Sequence, residues 1–278
     1  MRGKPLADRI RAQVADDVAA IGHIGLVTVL VGEDPASEVY IRLKHKAAEE
    51  AGFDATDLRL PAETPEDELL ARVAELNDSP DVDAILVQLP LPAQIDEERV
   101  IRAVTPAKDV DGFHPLNAGE LYLGRPALVP ATPRGVLALL AEHDVQLEGA
   151  NAVMVGRSDI VGKPMAHLLL QANATVTVCH SRTRELAEHT LAADVLIVAA
   201  GVAGLVSAEM VREGGVVVDV GMNRTDDGLV GDVDPAALDR ASKMTPVPGG
   251  VGPMTIACLL ENAVRCARYR RKELDYPA

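Results

Sequence analysis

The 278-residue chain is 48% hydrophobic and 25% charged, which supplies a sizeable core and, by length, about two modest domains. Its 42 acidic residues outnumber 27 basic ones, for a net charge of −15, and it holds no Trp, four Tyr and two Phe. That balance opposes broad binding to nucleic acid or an anionic membrane and leaves few rings for stacking bases.

The amino terminus, MRGKPLADRI, lacks the apolar stretch of a secretory signal. From there helical and strand patterns alternate: a helix over 4–20, an apolar run Leu26–Val31, a helix over 35–51, a strand over 55–60, a helix over 65–77 and a strand over 83–89. Such alternation predicts a parallel sheet covered by helices. Asp34-Pro35 reads as an N-cap followed by proline at the first helical position, and Gly52 as the stop. Val39, Leu43 and Ala47 are the expected buried stripe of that helix, with Tyr40 and Lys44 four apart on a face beside it. A ring next to an amine suits stacking of a planar substrate and delivery of a proton; it equally suits an ordinary helix surface. Gln88, the only uncharged polar residue of its strand, either satisfies backbone or faces a ligand at the strand's carboxyl end.

The segment 105–133 contains Pro106, Pro115, Pro126, Pro130 and Pro133, and is expected to resist regular helix and act as a functional loop or inter-domain crossing. Lys108, Asp109 and Asp111 put a cation and two carboxylates there. Asp109, Asp111 and Glu120 match three positions of a calcium loop, but His114 stands where that loop needs glycine. No histidine spacing matches a zinc site, so no metal is expected.

Beyond it come a helix over 134–144, a strand over 152–155, a helix over 163–172, a strand over 175–179, a helix over 184–191 and strands over 194–200 and 215–220. The uncharged stretch from Val195 to Ala208 falls short of the roughly 20 residues of a bilayer span, so the chain reads as soluble. The strand over 152–155 opens into Gly156-Arg157-Ser158 and a helix start, an arrangement whose free backbone N–H groups suit an anion; an ordinary turn reads equally well. After the next strand there is no Asp or Glu between 172 and 184 for ribose hydroxyls. Ser181 and Arg182, with Arg157 and Ser158, suit a 2′-phosphate, which favours NADP. The glycines of Pro246–Thr255 permit close backbone approach to a ligand, or a tight inter-domain turn. A last helix, from Pro253 to about Arg271, is expected to return to the first domain. Cys179, Cys258 and Cys266 form no C-x-x-C pair, which argues against a disulfide scaffold and suits the cytoplasm.

Taken together, YIRLKHKAAEEAG (40–52), VQLPLP (87–92), PAKDVDGFHPLNAG (106–119), PATPRG (130–135), VGRSDIVGKPMAHLL (155–169), TVCHSRT (177–183), VDVGMN (218–223) and PVPGGVGPMT (246–255) resemble, in order and over most of the chain, the bifunctional methylenetetrahydrofolate dehydrogenase/methenyltetrahydrofolate cyclohydrolase family. The resemblance implies an α/β fold of two domains with a cleft between them. One is an N-terminal catalytic domain, 1–132 plus 256–278; the other is a Rossmann-like NADP-binding domain, 133–255. It implies Lys44 as catalytic lysine, Tyr40 stacking on the folate, Gln88 tuning the lysine and Asp111 holding the pterin. Val87, Leu89 and Pro248, Gly249, Gly250, Val251 and Gly252 are implied as further folate contacts. Gly156, Arg157, Ser158 and Ser181 are implied for NADP, with Met222 near the nicotinamide, and Arg182 joins them from the basic turn read above. Ala131 stands where the family often has cysteine, a position with no chemical role. Tetrahydrofolate derivatives are the implied substrates and a homodimer the implied assembly. A dehydrogenase of the same fold without cyclohydrolase activity, or a non-catalytic NADP sensor, are the competing readings.

Overall fold

The computed structural model describes residues 1–32, 35–226 and 228–277, with backbone alone over 35–40. The chain forms two compact units: Arg9–Val129 with Leu259–Ala278, and Met1–Asp8 with Pro130–Cys258. In chain order the elements are α1 (Lys4–Ile21), β1 (Gly25–Val31), α2 (Pro35–Glu50), β2 (Asp54–Leu60), α3 (Glu66–Asp78), β3 (Ala84–Val87), α4 (Glu97–Ala103) and α5 (Pro115–Tyr122). There follow α6 (Ala131–Glu142), β4 (Asn151–Val155), α7 (Gly162–Gln171), β5 (Thr175–Cys179), α8 (Leu186–Leu191), β6 (Val195–Val198), β7 (Val216–Asp219), β8 (Asn223–Thr225), β9 (Gly228–Val230), β10 (Lys243–Met244) and α9 (Val251–Arg270). None of the described helices is long and apolar enough to cross a membrane.

The unit around 9–129 holds a parallel sheet of order β2-β1-β3. β1, Gly-Leu-Val-Thr-Val-Leu-Val, and β3, Ala-Ile-Leu-Val, are apolar and almost wholly buried, as expected of parallel strands covered on both faces. β2, at one edge, is polar and partly exposed, whereas β3, at the other, is flanked by Asp109, which bridges to Ile85. Val27, Val29, Ile85 and Val87 pack on Leu69 and Val73 of α3 and Val100 of α4. Asp83 is fully buried, accepts from the Gly25 N–H at 3.0 Å, and is paired with Arg270 of α9.

Two expectations for this unit are corrected. The proline-rich segment is not all loop: α5 begins with Pro115 at its first turn, where a missing N–H costs nothing, and His114 caps it by accepting from Leu116 N. Among the described side chains of α2 the buried ones are Ile41, Ala47 and Ala48, while Leu43 is 50% exposed; the side chain of Val39 lies outside the described residues. At about 100° per residue, Ile41, Lys44 and Ala48 share one face and Leu43 points away. Lys44 therefore stands within the inward face, not beside it. The expected Asp34 cap lies outside the described residues. Gly52 ends the helix as expected, with φ +87° and its N–H on Glu49 O.

The other unit holds a five-stranded parallel sheet of order β10-β7-β6-β4-β5. The order reverses between β4 and β6, the place in open α/β sheets where ligands bind outside the strands' carboxyl ends. Val153, Val155, Leu196, Val198, Val217 and Val233 form its core. The antiparallel pair β8–β9 joins Asn223 to Val230 and Thr225 to Gly228.

Candidate active site

In the 9–129 unit, three functional side chains come from three places in the sequence. Lys44 rises from the buried face of α2 and donates from Nζ to Gln88 Oε1 at 3.3 Å. Gln88 follows β3, and its backbone N–H continues the ladder to Val29 O at 2.9 Å. Its Nε2 donates to Leu89 O at 2.6 Å, which orients the amide so that the oxygen faces the lysine. Of the two readings of Gln88 left open by sequence, the first holds for the amide nitrogen, which satisfies backbone, while the oxygen meets Lys44. Val87 and Leu89 flank it, buried and half-buried.

Asp111 is delivered by a loop tied to the same sheet. Asp109 bridges to Ile85, Val110 N donates to Ile85 O at 3.3 Å, and Asn262 Nδ2 donates to Val110 O at 2.9 Å. The three charges of this loop have different tasks. Lys108 donates to Leu76 O, Asn77 O and Ser79 O at 3.1, 2.6 and 2.9 Å, neutralising the carboxyl end of α3. Asp109 accepts from His114 N at 2.7 Å and Asn117 Nδ2 at 2.8 Å, and burial pushes it up to about 7. Tyr276 then donates to Asn117 Oδ1 at 2.8 Å. Asp111 acts on Lys44. Burial holds the Lys44 amine below the ordinary lysine range while Asp111 pulls it back up; burial raises Asp111 while Lys44 lowers it. The side chain of Tyr40 lies outside the described residues.

In the other unit, β4 and β5 pair in register, Val155 with Cys179, and Gly156 N donates to Cys179 O at 2.8 Å. Gly156 has φ +127°, and a Cβ there would overlap the Ala199 carbonyl after β6. Only glycine fits, and it leaves bare backbone at the strand-order reversal. Gly162 packs just as tightly against the Gly156 carbonyl. The expectation of free N–H groups at the start of α7 is corrected. Ser158 Oγ accepts from Val161 N at 3.2 Å and Gly162 N at 3.3 Å, so those donors are capped by the chain itself. Arg157, Ser158, Ser181 and Arg182 are exposed at the ends of the two strands. Bare backbone beside two guanidinium groups fits a long phosphate-bearing cofactor. Met222 is 52% exposed after β7. The turn 248–252 is held in this unit: Gly250 N donates to Pro246 O at 2.9 Å, and Gly3 N donates to Gly249 O at 3.0 Å.

Two buried carboxylates of this unit, Asp219 and Asp232, escaped the sequence reading. The available signal was an aspartate closing the apolar run of β7. No local pattern marks Asp232.

The chain matches the family described as tetrahydrofolate dehydrogenase/cyclohydrolase through its catalytic domain over residues 1–111 and its NAD(P)-binding domain over 130–271. It is 57% identical over 272 residues to the bifunctional protein FolD of Acidiphilium cryptum, covering 97% of this chain and 98% of that one. Among solved structures, the bifunctional methylenetetrahydrofolate dehydrogenase/cyclohydrolase FolD from Campylobacter jejuni superimposes with a TM-score of 0.94 at 46% identity, covering 97% and 98%. The Trypanosoma brucei methylenetetrahydrofolate dehydrogenase-cyclohydrolase, solved with NADP cofactor and an inhibitor, gives 0.93 at 37% identity, covering 99% and 98%.

Proposed function

The chain belongs to the tetrahydrofolate dehydrogenase/cyclohydrolase family, and from that premise we propose how its residues divide the work. The enzyme is bifunctional: it oxidises 5,10-methylenetetrahydrofolate to the 5,10-methenyl compound with NADP⁺ and hydrolyses that cation to 10-formyltetrahydrofolate. This sets aside the dehydrogenase-only and sensor readings. NADP⁺, when bound, accepts the hydride that leaves the methylene carbon. Hydrolysis then needs a proton taken from the attacking water and one given to the departing ring nitrogen, with one proton released overall.

Lys44 is the group for both transfers. The supporting observation is its amine, desolvated on α2 and held at 3.3 Å by a neutral amide oxygen. Burial makes the neutral amine accessible nearer physiological pH, where it takes the water's proton and returns it as ammonium. Gln88 orients the amine without adding a charge that would lock it as ammonium. Asp111 limits the downward shift and offers its carboxylate to the N–H donors of the pterin. Tyr40 stacks on the flat part of the folate, with Val87 and Leu89 beside it.

Gly156 receives the cofactor's pyrophosphate closely; Arg157, Ser158, Ser181 and Arg182 hold the 2′-phosphate, and Met222 flanks the nicotinamide. Cytoplasmic location and a homodimer belong to the same proposal. Three buried free thiols support a reducing compartment, and Val178 on the edge strand β5, with Leu170 and Leu191, offers exposed apolar surface for a second copy.

The test is a spectrophotometric assay with methylenetetrahydrofolate, comparing NADP⁺ with NAD⁺ while following methenyl formation and decay. A charge-assisted contact to the extra phosphate gives at least about a tenfold preference in kcat/KM for NADP⁺. Equal or better use of NAD⁺ overturns the 2′-phosphate assignment. Methenyl compound that forms but decays only at the spontaneous rate overturns the cyclohydrolase assignment.

A further inference from the structure

Asp232 lies fully buried between the loop after β6 and the segment after β7 that carries Met222. Its Oδ2 accepts from Ala200 N at 2.6 Å and Gly201 N at 2.9 Å, the two amides that follow β6. Its Oδ1 accepts from Asn223 Nδ2 at 2.8 Å. Gly221 packs so closely that a Cβ there would overlap the Asp232 carboxyl. Asp232 therefore touches both neighbours of Met222. A second carboxylate anchors it: Asp219 Oδ1 accepts from Gly221 N at 2.9 Å and Asp232 N at 3.0 Å, while Oδ2 accepts from Val233 N at 3.0 Å.

The place of these bonds matters more than their number. The loop after β6 stands at the reversal of strand order, where its Ala199 carbonyl forms the wall against which Gly156 is packed. Asp232 ties that loop to the segment after β7. It also occupies the Ala200 and Gly201 N–H groups, so these amides are shaped by the protein's own anion and are not spare donors for a phosphate. A buried carboxylate is costly unless its oxygens are matched by donors, and here three donors from two loops converge on it.

We propose that Asp232 is a positioning residue for the dehydrogenase reaction, fixing the loop after β6 and the Gly221–Asn223 segment in the geometry that the cofactor requires. This rests on the reading of the 130–258 unit as the NADP unit. Asp232 has no part in the Lys44 chemistry, so its loss separates the two activities.

The experiment uses the purified full chain. Dehydrogenase kinetics are measured with varied NADP⁺, and methenyltetrahydrofolate hydrolysis without NADP⁺, with Tm alongside. Small misplacement of a reacting group is costly, so Asp232→Ala lowers dehydrogenase kcat/KM for NADP⁺ about tenfold or more and leaves hydrolysis within about twofold of the parent. Asp232→Asn recovers most of the loss, because its amide oxygen still serves Ala200 and Gly201 and Asn223 can turn its own amide to accept. Parental dehydrogenase kinetics in Asp232→Ala, or equal losses of both activities per folded molecule, overturn the proposal. If Asp232→Ala does not fold, Asn223→Ala decides, since it removes a single donor. A KM for NADP⁺ raised about threefold with unchanged hydrolysis supports the proposal, and an unchanged ratio of activities overturns it. The parent's own turnover reports the cofactor separately: activity with NAD⁺ alone overturns the NADP reading, and the variant ratios are then read with NAD⁺.

Discussion

The Lys44 amine lies inside its unit, on a neutral amide with a carboxylate opposite, whereas Arg157, Ser181 and Arg182 stand in solvent at the ends of β4 and β5. In the first region, water is withheld from a titratable group. Its loop also keeps two other charges, Lys108 and Asp109, busy with backbone, while the Asp111 carboxylate acts on the amine. In the second, charge is left hydrated, and precision comes from backbone: a glycine that only glycine can replace and loops pinned by buried aspartates. The first region pays in stability for a perturbed proton affinity. The second spends nothing on its cations and depends on sterics.

Lys44→Met breaks the comparison most sharply. Loss of a general acid–base group costs about 10²–10⁴-fold, so methenyltetrahydrofolate hydrolysis should fall by that factor above the spontaneous rate. Methionine is about as good a helix former as lysine and fills the same face without a desolvated ammonium, so Tm should hold or rise. NADP affinity should stay at the parent's value. Hydrolysis within a fewfold of the parent would show that the wrong lysine has been assigned.

Gly156→Ala makes the opposite cut. With φ +127° and the Ala199 carbonyl in the way, the added methyl must displace the turn proposed to meet the cofactor. NADP⁺ affinity should weaken by about tenfold or more and Tm should drop, while hydrolysis measured without NADP⁺ persists in the folded protein. Titration calorimetry reads this directly; unchanged affinity would mean that the bare backbone is not used.

Gln88→Glu has the smallest expected effect and sharpens the electrostatic half. The new carboxylate favours the ammonium and raises the Lys44 pKa, which burial holds below 10.5 in the parent. With the neutral amine as the proposed base, activity should rise with pH through the Lys44 pKa. In the variant that rise should move to higher pH, with activity reduced near pH 7 and regained at alkaline pH. A pH–rate profile that does not move would remove Lys44 as the titrating base.

Sequence by itself determined the alternation of strands and helices, because burial of long regular elements imposes a period that apolar residues display. Its motifs, in order over most of the chain, also named the family, and they nominated the residues proposed to carry that chemistry. It misjudged α2, where Leu43 was expected inside and Lys44 beside the stripe, since one apolar residue on the wrong face shifts the apparent axis. It missed α4, the hairpin β8–β9 and β10, which are too short to show a period. What only tertiary structure decided was pairing across distance. Gln88 meets Lys44 from 44 residues away, and Asp232 reaches Ala200 from 32. Ser158 turned out to cap α7 itself. A hydrogen bond between distant segments leaves no local pattern, because each partner is selected by the other's position in the fold and not by its neighbours in the chain.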